Sequence, residues 1–434
     1  MQITGWGKHP VIESEQIVPR TSSGLKASLG AKSDFTGVAR GMGRSYGDSS
    51  LAAQTISTLS LNQILDFNAS TGLVNCAAGV TLADILEVFV PRGWFLPVTP
   101  GTKFVSVGGA IASDVHGKNH HIEGSFSDHV DRLSLMLGDG TVVNCSRETH
   151  PELFHATCGG MGLTGVIIDA GFRMKPIRSA YIQERTLKTA HLEELLELFV
   201  EHKDAPYSVA WIDCLSTGRS FGRSLLMLGE HSEDGRLEIP SKNGLSVPVD
   251  MPGFLLNRYS TSLFNAIYYN LARKRRSGRI VPYEHFFYPL DGIRHWNRVY
   301  GKSGFTQYQF VLPKEAGREG LTVILKRITQ SKRGSFLTVL KAFGKGNDNY
   351  LSFPMEGYTL ALDFKLGDGL FELLDELDKI VLGYGGRIYL TKDVRMSENT
   401  FKQSYPRLGE FLKVRKKYGA DTVFHSMQSE RLGI

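Results

Sequence analysis

Residues 100–121 read PGTKFVSVGGAIASDVHGKNHH, and the other motifs of the chain fall into place around them. Gly101, Gly108 and Gly109 leave the main chain bare, with the small Ala110, Ala112 and Ser113 close behind. Bare backbone brings its N–H groups against anions, which is why glycine recurs where phosphates are cradled. His116, Lys118, His120 and His121 follow at once, a cationic and titratable cluster. A phosphate-binding loop that runs into such a cluster points to a bulky anionic cofactor with its reactive end beside a substrate. A surface turn or an adventitious metal patch would have the same composition, so the neighbouring segments must decide.

Two further glycine clusters flank this one. Residues 36–48, TGVARGMGRSYGD, space their glycines G-x-G-x-x-x-G. That is one residue too long for a dinucleotide fingerprint, and no amphipathic helix follows, which excludes a Rossmann site. The third cluster, CGGMGLTGVII (158–168), leads into an apolar strand. Three glycine loops exceed what turns require and predict separate loops gripping one extended ligand. Between them, LVNCAAGV (73–80) reads as a strand, as does GTVVNCS (140–146) after its Asp-Gly turn. Thr81 with Asp84 forms a capping box for a helix whose Leu82, Ile85, Leu86 and Phe89 share one face, ended by Pro91 and Gly93.

At 434 residues the chain is long enough for two domains, and 41% hydrophobic with 22% charged residues is ordinary for a folded soluble protein. Cys76, Cys145, Cys158 and Cys214 show no C-x-x-C spacing, so neither a zinc ribbon nor a disulfide framework is expected, no metal site is assigned, and a reducing compartment is the default. The N-terminal MQITGWGKHPVIESEQ lacks a signal-peptide core, and no apolar run is long enough to span a bilayer. The expected location is cytoplasmic, or peripheral on the inner face of the cytoplasmic membrane. A net charge of +6 permits attraction to anionic lipid without demanding it.

Composition changes near residue 177. KTAHLEELLELFVEHK (188–203) predicts an amphipathic helix with Leu192, Leu195, Leu196 and Phe199 on one side. FTQYQFVLP, SFLTVLKAF and YTLALDF then alternate at the strand period. Gln307 and Gln309 share one face; Lys341 lies with Leu337 and Val339; Thr359, Ala361 and Asp363 oppose Leu360, Leu362 and Phe364. Such strands offer a wall of amide, ammonium and hydroxyl groups to a hydroxyl-rich ligand, or else a polar face to water. Residues 231–286 read as irregular, and the basic run LARKRRSGR (271–279), with aromatic Phe264, Tyr268, Tyr269 and Tyr283 nearby, reads as a solvated loop or as a mobile one resting on an anionic membrane. A helix over 368–382, capped by Asp368 and stopped by Gly383 and Gly385, precedes Lys392 and Asp393 in a short strand-to-helix connection.

Taken together, GRSYGD (43–48), the 100–121 stretch, GGMGLTG (159–165), QYQFVLP (307–313), LSFP (351–354) and GGRIYLTKD (385–393) resemble the vanillyl-alcohol-oxidase-like FAD family. Within it they are similar to the flavin subunits that oxidise the 2′-hydroxyl of decaprenylphosphoryl-β-D-ribose. The resemblance runs from about residue 35 to the C-terminus. It implies an α+β, two-domain PCMH-type FAD-binding fold with a substrate domain on an antiparallel sheet: an FAD-binding part over 1–176, a substrate-binding part over 177–384 and a returning segment over 385–434. It places FAD against Ala39, Arg40, Gly41, Met42, Gly43, Arg44, Ser45, Tyr46, Gly47 and Asp48 in the first loop. The second loop contributes Gly101, Ser106, Val107, Gly108, Gly109, Ser113, Asp114, Val115 and His116, with Ile167 and Tyr389 beyond it.

The resemblance further implies catalysis by Lys392, His116 and Tyr46, and substrate contact by Lys118, Gln307, Gln309, Lys341, Thr359 and Trp211. The chemistry needs a secondary alcohol with its C–H toward the flavin and a group to take the hydroxyl proton, a task open to Lys392 or His116. The product, a 2-keto sugar lipid, would pass to a separate NADH-dependent short-chain reductase; peripheral membrane contact is expected and nucleic acid is not. Thr359 and Ala361 stand where relatives carry asparagine and cysteine, and Phe287 where tyrosine is expected. Two alternatives are an FAD oxidase of a free sugar, alditol or aldonolactone, and a non-catalytic phosphate- or nucleic-acid-binding protein. Arg44 occupies the loop position where several relatives carry a flavin-linked histidine, so FAD is expected to be noncovalent. Denaturing gel filtration should then separate all yellow colour from the polypeptide; colour that co-elutes with the chain refutes this.

Overall fold

The computed structural model describes residues 1–30, 34–239, 245–272 and 275–434. In the first third, Glu15–Ile17, Gln54–Ser57 and Gly37–Arg40 form a parallel three-stranded sheet with Gln54–Ser57 in the middle. Beside it run five antiparallel strands in the order Val142–Cys145, Val130–Met136, Val166–Arg173, Leu73–Ala77 and Ile64–Asn68. The helix Leu82–Phe89 begins as its capping box predicts: Thr81 Oγ1 accepts from the Asp84 N–H at 3.1 Å and Asp84 accepts from the Thr81 N–H at 2.9 Å. Its four predicted apolar residues are all buried.

The second body is an antiparallel sheet of eight strands, in the order Arg275–Pro282, Tyr181–Thr189, Ser224–His231, Tyr207–Ile212, Thr338–Phe343, Gly357–Lys365, Phe305–Pro313 and Arg387–Ile388. The helices Leu192–Glu201, Lys314–Ser331 and Leu370–Gly383 cover one face. Strand alternation sends Tyr308, Phe310, Leu360 and Leu362 into that helix-backed core, where Tyr308 donates to Asp378 at 2.9 Å. The opposite residues, Gln307, Gln309, Lys341 and Ala361, line a cavity between the sheet and the glycine loops. The polar face is therefore not turned to bulk water. It is an interior wall.

Several boundaries differ from the sequence reading. Lys188 and Thr189 end a strand, and the helix starts only at Leu192, after His191 caps Glu194 through its ring. Asp368 caps nothing; Gly369 in the left-handed region precedes the helix, which runs through Gly383 to the left-handed Gly385. The stretch 231–286 is not irregular: Asn257 caps a helix over Arg258–Leu271, and Arg275–Pro282 is an edge strand of the large sheet rather than a loop. Arg273 and Lys274 of the basic run lie outside the described residues.

After its last strand the chain returns to its beginning. Gly37 donates to the Val423 carbonyl at 3.0 Å and accepts from His425 at 2.8 Å, while Met427 donates to the Leu51 carbonyl at 2.8 Å. Arg431 locks this return. It donates through two nitrogens to Asp48 at 3.0 and 2.8 Å and to Asp393 at 2.8 Å, where the carboxylates are only 5% and 1% exposed. Burial raises both carboxyls, but Arg431 and Arg395 outweigh it at Asp393, which ends below the usual range, whereas Asp48 stays above it. Removing the guanidinium would leave two buried carboxyls side by side. Arg431→Met should cost about 3 kcal/mol and lower the thermal midpoint, with partial recovery on adding Asp48→Asn; equal midpoints for Arg431→Met and wild type would show the bridge to be incidental.

Candidate active site

The register of the large sheet sets the cavity wall. Gln309 pairs with Ala361, Ala361 with Val339, Val339 with Trp211 and Trp211 with Leu225, so these five lie in one row across five strands. The next row holds Gln307 opposite Asp363, and the row on the other side holds Lys341 opposite Thr359. Facing this wall are the loops that carry Gly41–Tyr46, Thr99–Thr102, Ser113–Lys118 and Met161–Ile167. The enclosed volume is about 780 Å³, near the upper end for small-molecule sites. One end is polar. The other is richer in apolar side chains, Val209, Leu225, Met227, Tyr268, Phe286 and Phe287, with Lys118 over the Phe286 ring.

Burial controls the charges at the polar end. Lys392 lies 4.1 Å above the Tyr46 ring, and burial lowers its pKa to about 8 although Asp363 opposes the shift. Lys341 is lowered to about 7, by burial first and then by Lys392 and Lys118. Lys118, which donates to the Phe286 carbonyl and sits 4.5 Å over that ring, is also lowered to about 7 by burial. Burial pushes the Asp363 carboxyl up to about 7, even though Gln307 donates to it at 2.6 Å and Tyr300 at 3.3 Å. Each of the four groups is thus moved toward its neutral form by loss of water, and desolvation outweighs the Lys392–Asp363 attraction.

Gln309 decides the state of His116. The Thr359 hydroxyl donates to the Phe310 carbonyl at 2.8 Å, so its oxygen is left to accept from the Gln309 amide nitrogen at 3.2 Å. With the NH₂ group turned that way, its second hydrogen goes to His116 Nε2 at 3.0 Å. Nε2 is therefore an acceptor and the proton resides on Nδ1. Burial first, then Lys341, His120 and Lys392, hold His116 well below the ordinary histidine value, so the ring is neutral. Among the described residues no protein group partners Nδ1.

The loop wall has its own unmatched donors. The N–H groups of Met42, Gly43, Arg44 and Ser45 find no acceptor among the described residues, and the buried Ser49 hydroxyl beside the cavity likewise has none. Ser49 is 2% exposed, and buried donors are rarely left unpaired in folded proteins. The two glycine loops touch, because a Cβ on Gly41 would collide with Ser106 Oγ, while a Cβ on Gly101 would meet open space. A run of N–H groups without acceptors, beside open space at Gly101, fits a long group rich in acceptor oxygens such as a dinucleotide diphosphate.

Comparison with known proteins names that group. The FAD binding domain family matches residues 18–146. Decaprenylphosphoryl-beta-D-ribose oxidase of Mycolicibacterium smegmatis is 38% identical over 411 residues, which is 91% of this chain and 88% of that protein. The chain belongs to the decaprenylphosphoryl-β-D-ribose oxidase family of FAD-binding oxidoreductases. An uncharacterized protein in the mprA 5′ region of Streptomyces coelicolor is 31% identical over 82% of this chain and 100% of its own. L-gulono-1,4-lactone dehydrogenase of Mycobacterium tuberculosis is similar at 22% identity over 99% of this chain and 98% of its own. The enzyme is thus an FAD-dependent oxidoreductase acting on a CH–OH group, with the α+β PCMH-type fold, and the non-catalytic binding-protein alternative loses its ground.

Most of the predicted site residues converge on the cavity. Ala39, Gly41–Tyr46, Gly101, Ser106, Gly108 and Gly109 line it, as do Ser113, Val115, His116, Ile167 and Tyr389. Lys118, Trp211, Gln307, Gln309, Lys341 and Lys392 line it as well. Six predicted residues do not. The Arg40 guanidinium is spent on Ser50 and the Thr4 carbonyl, Asp48 on Arg431, and Gly47 packs against the Asp393 carbonyl. Val107 is fully buried in the core. Asp114 accepts from Ser127, Asn347, Asn349 and Ser352, which saturates a carboxylate assigned to the cofactor. Thr359 is 0% exposed, does not line the cavity, and accepts from Gln309.

Four contributors escaped the sequence reading. Asp363 stands at the centre of the polar end, yet a lone acid in an alternating strand looks like a solvated one. Ser49 lies one residue past the predicted glycine loop. Glu184 and Thr186 reach the cavity from a strand whose YIQERTLKT alternation held the same period-two signal.

Thr359→Val keeps the shape and removes the hydroxyl. The Gln309 amide is then free to turn its oxygen to His116 and move the proton to Nε2. Specific ¹⁵N-histidine spectra should show that tautomer switch, with kcat/KM falling about tenfold and Thr359→Ser behaving as wild type. An unchanged histidine spectrum in Thr359→Val would refute the relay.

Proposed function

We propose that the enzyme oxidises the 2′-hydroxyl of a polyprenylphosphoryl-β-D-ribose to the 2-keto sugar, the first half of an epimerisation to the arabinose lipid used in cell-wall or glycan arabinosylation. The observation that carries this reading is one cavity that holds two buried amines, Lys341 and Lys392, beside Gln307 and Gln309, and a third, Lys118, over the Phe286 ring where an apolar arm begins. A sugar phosphate with a long hydrocarbon tail has the same polarity sequence. The relative from Mycolicibacterium smegmatis bears that activity in its name and shares 38% identity with this chain. A free sugar or aldonolactone, the class named by the 22% identical dehydrogenase, leaves the apolar arm without a role.

In this reading residues 1–176 and 385–434 hold FAD and 177–384 hold the substrate. Met42–Ser45 and Ser49 would meet the cofactor's phosphates, and Arg44, 4.1 Å over the Trp6 ring, offers no nucleophile for a covalent link. Bound FAD supplies the two-electron acceptor for the carbinol hydrogen. Lys392 takes the hydroxyl proton, because a pKa of about 8 leaves a usable fraction of free amine near neutrality. His116 is a poorer base: Nε2 is occupied by Gln309 and Nδ1 already carries the proton. It orients instead, donating from Nδ1. Lys118 and Lys341 regain their charge when a phosphate dianion enters, since an adjacent anion favours the ammonium form. Tyr46 is held by Gln307 at 3.5 Å and by the edge of Phe305 at 5.3 Å, and stacks beneath Lys392 to keep its amine at the polar end.

The 2-keto product needs hydride from a second enzyme, and we assign that step to a separate NADH-dependent short-chain reductase. A polyprenyl tail resides in a bilayer, so the enzyme works as a peripheral protein at a membrane surface. No helix among the described residues is long and apolar enough to cross one.

Anaerobic stopped flow with a short-chain polyprenylphosphoryl-β-D-ribose tests the assignment. Bleaching near 450 nm should accelerate as pH rises through about 8, where the Lys392 amine loses its proton, and then level off. Lys392→Ala should bleach about 10²–10⁴-fold more slowly and lose that rising limb. Full-rate bleaching in Lys392→Ala removes the lysine from its role; bleaching by aldonolactones alone would replace the substrate.

A further inference from the structure

The helix Arg258–Leu271 is built inside out. Its buried side chains are Thr261 and Asn265, at 4% and 0% exposure. Its exposed ones include Tyr259, Leu263, Ile267 and Leu271, at 81%, 62%, 49% and 79%. These four recur every fourth residue and so form one stripe along the helix. Phe264 and Tyr268, 45% and 40% exposed and stacked at 5.8 Å, widen it. Leu255, just ahead of the helix and accepting from Ser260 at 2.6 Å, adds another exposed apolar side chain.

A polar network pins the other side. Asn265 donates to Asp213 at 2.8 Å, and Asp213 accepts from Arg223 at 2.9 and 2.8 Å. The orientation is therefore fixed by buried hydrogen bonds, and the apolar stripe faces outward in the folded protein. A contiguous exposed stripe of this kind marks an interaction surface.

We infer that this stripe is a docking surface for an anionic lipid bilayer, with the helix lying in the plane of the headgroups. Three observations favour a bilayer over a protein partner. The sequence RYSTSLFNAIYYNL contains no acid, Arg258 at its start is exposed, and exposed Arg279 shares the cavity lining with Tyr268 and Leu271, so both cations are available to lipid phosphates. Tyr259 and Tyr268 are amphipathic rings of the type enriched at membrane interfaces. Tyr268, Leu271 and Ala272 of this same segment line the cavity, together with Arg279 from the neighbouring strand, so the cavity's apolar arm ends where the stripe begins. Fourteen residues are too few to span a bilayer but suffice to lie on one. The route of the tail rests on the lipid-substrate reading; the contact itself does not.

Flotation of the holoenzyme with mixed phosphatidylcholine–phosphatidylglycerol vesicles tests the contact directly, without substrate. Wild type should float with these vesicles, less with phosphatidylcholine alone, and less in high salt. Leu263→Ser/Ile267→Ser, at exposed positions outside the cavity, should lose about tenfold or more in vesicle affinity. Turnover of a short-chain soluble substrate should stay unchanged, while turnover of long-chain substrate in vesicles falls. As a check independent of the double variant's folding, the indole introduced by Leu263→Trp should be quenched by bilayers of brominated anionic lipid. Equal flotation of variant and wild type, or an indole in Leu263→Trp that stays unquenched, overturns the proposal. So does a wild-type dimer that the double substitution dissociates without any vesicle binding, which would make the stripe a self-association face. If vesicle binding holds but short-chain substrate is inert with wild type, the substrate reading fails and the docking surface stands.

Discussion

Withdrawing three amines and a carboxyl from water on one face of a sheet is the constraint that the rest of the structure serves. Loss of hydration pushes Lys118, Lys341, Lys392 and Asp363 toward neutrality, repulsion from Lys392 and Lys118 adds to it at Lys341, and the Lys392–Asp363 attraction does not restore what water supplied. Such an arrangement persists only if the surroundings hold it. Here the surroundings are the three helices behind the sheet, whose core contacts fix the strands in register, and the return of the C-terminal segment that carries Lys392. Lys392 and Asp393 are consecutive: one faces the cavity, the other is gripped by Arg431. The ion bridge that closes the fold thereby also sets the height of the amine.

The glycine loops meet the cavity through backbone N–H groups as well as through Arg44. Unpaired N–H groups from Met42 to Ser45 supply positive potential at no side-chain entropy cost, and they are fixed before any ligand arrives. The charged residues that flank these loops are consumed elsewhere. Arg40 braces Ser50 and Thr4, and Asp114 ties the second loop to residues 347–352. Asp114 holds a left-handed φ of 38°, a conformation kept because four donors converge on its carboxylate. Residues that look cofactor-directed by position are in this way the scaffold of the loops.

How much of this was legible in the sequence follows from what each signal encodes. Period-two alternation placed Gln307, Gln309 and Lys341 on the right faces, since side-chain direction in a strand depends only on parity, while Trp211 came from the family resemblance alone. Parity does not say which strands are neighbours. Thr359 shares its face with Lys341, but only the pairing of Gly357–Lys365 with Phe305–Pro313 reveals that its hydroxyl is taken up by Gln309 and the Phe310 carbonyl. Asp363 was passed over for the converse reason. Its importance arises from Gln307, Tyr300 and Lys392 meeting it from three separate segments, which no local pattern contains.

The helix Arg258–Leu271 shows where hydrophobic periodicity misleads. A stripe at every fourth residue ordinarily identifies the face that turns inward, because burial of apolar area is the main favourable term in folding. In this helix the inward face is decided by Asn265 and its hydrogen bond to Asp213, a buried polar contact that would be left unsatisfied if the helix rolled over. Rolling would also take from Asp213 one of its donors, leaving it Arg223 and the Leu215 N–H. The bond from the Asn265 amide nitrogen thus outweighs apolar burial at one element, although Asn265 Oδ1 has no partner among the described residues, and that element borders the mouth of the cavity. An orientation that water alone disfavours is understandable if the medium outside that mouth is not water alone.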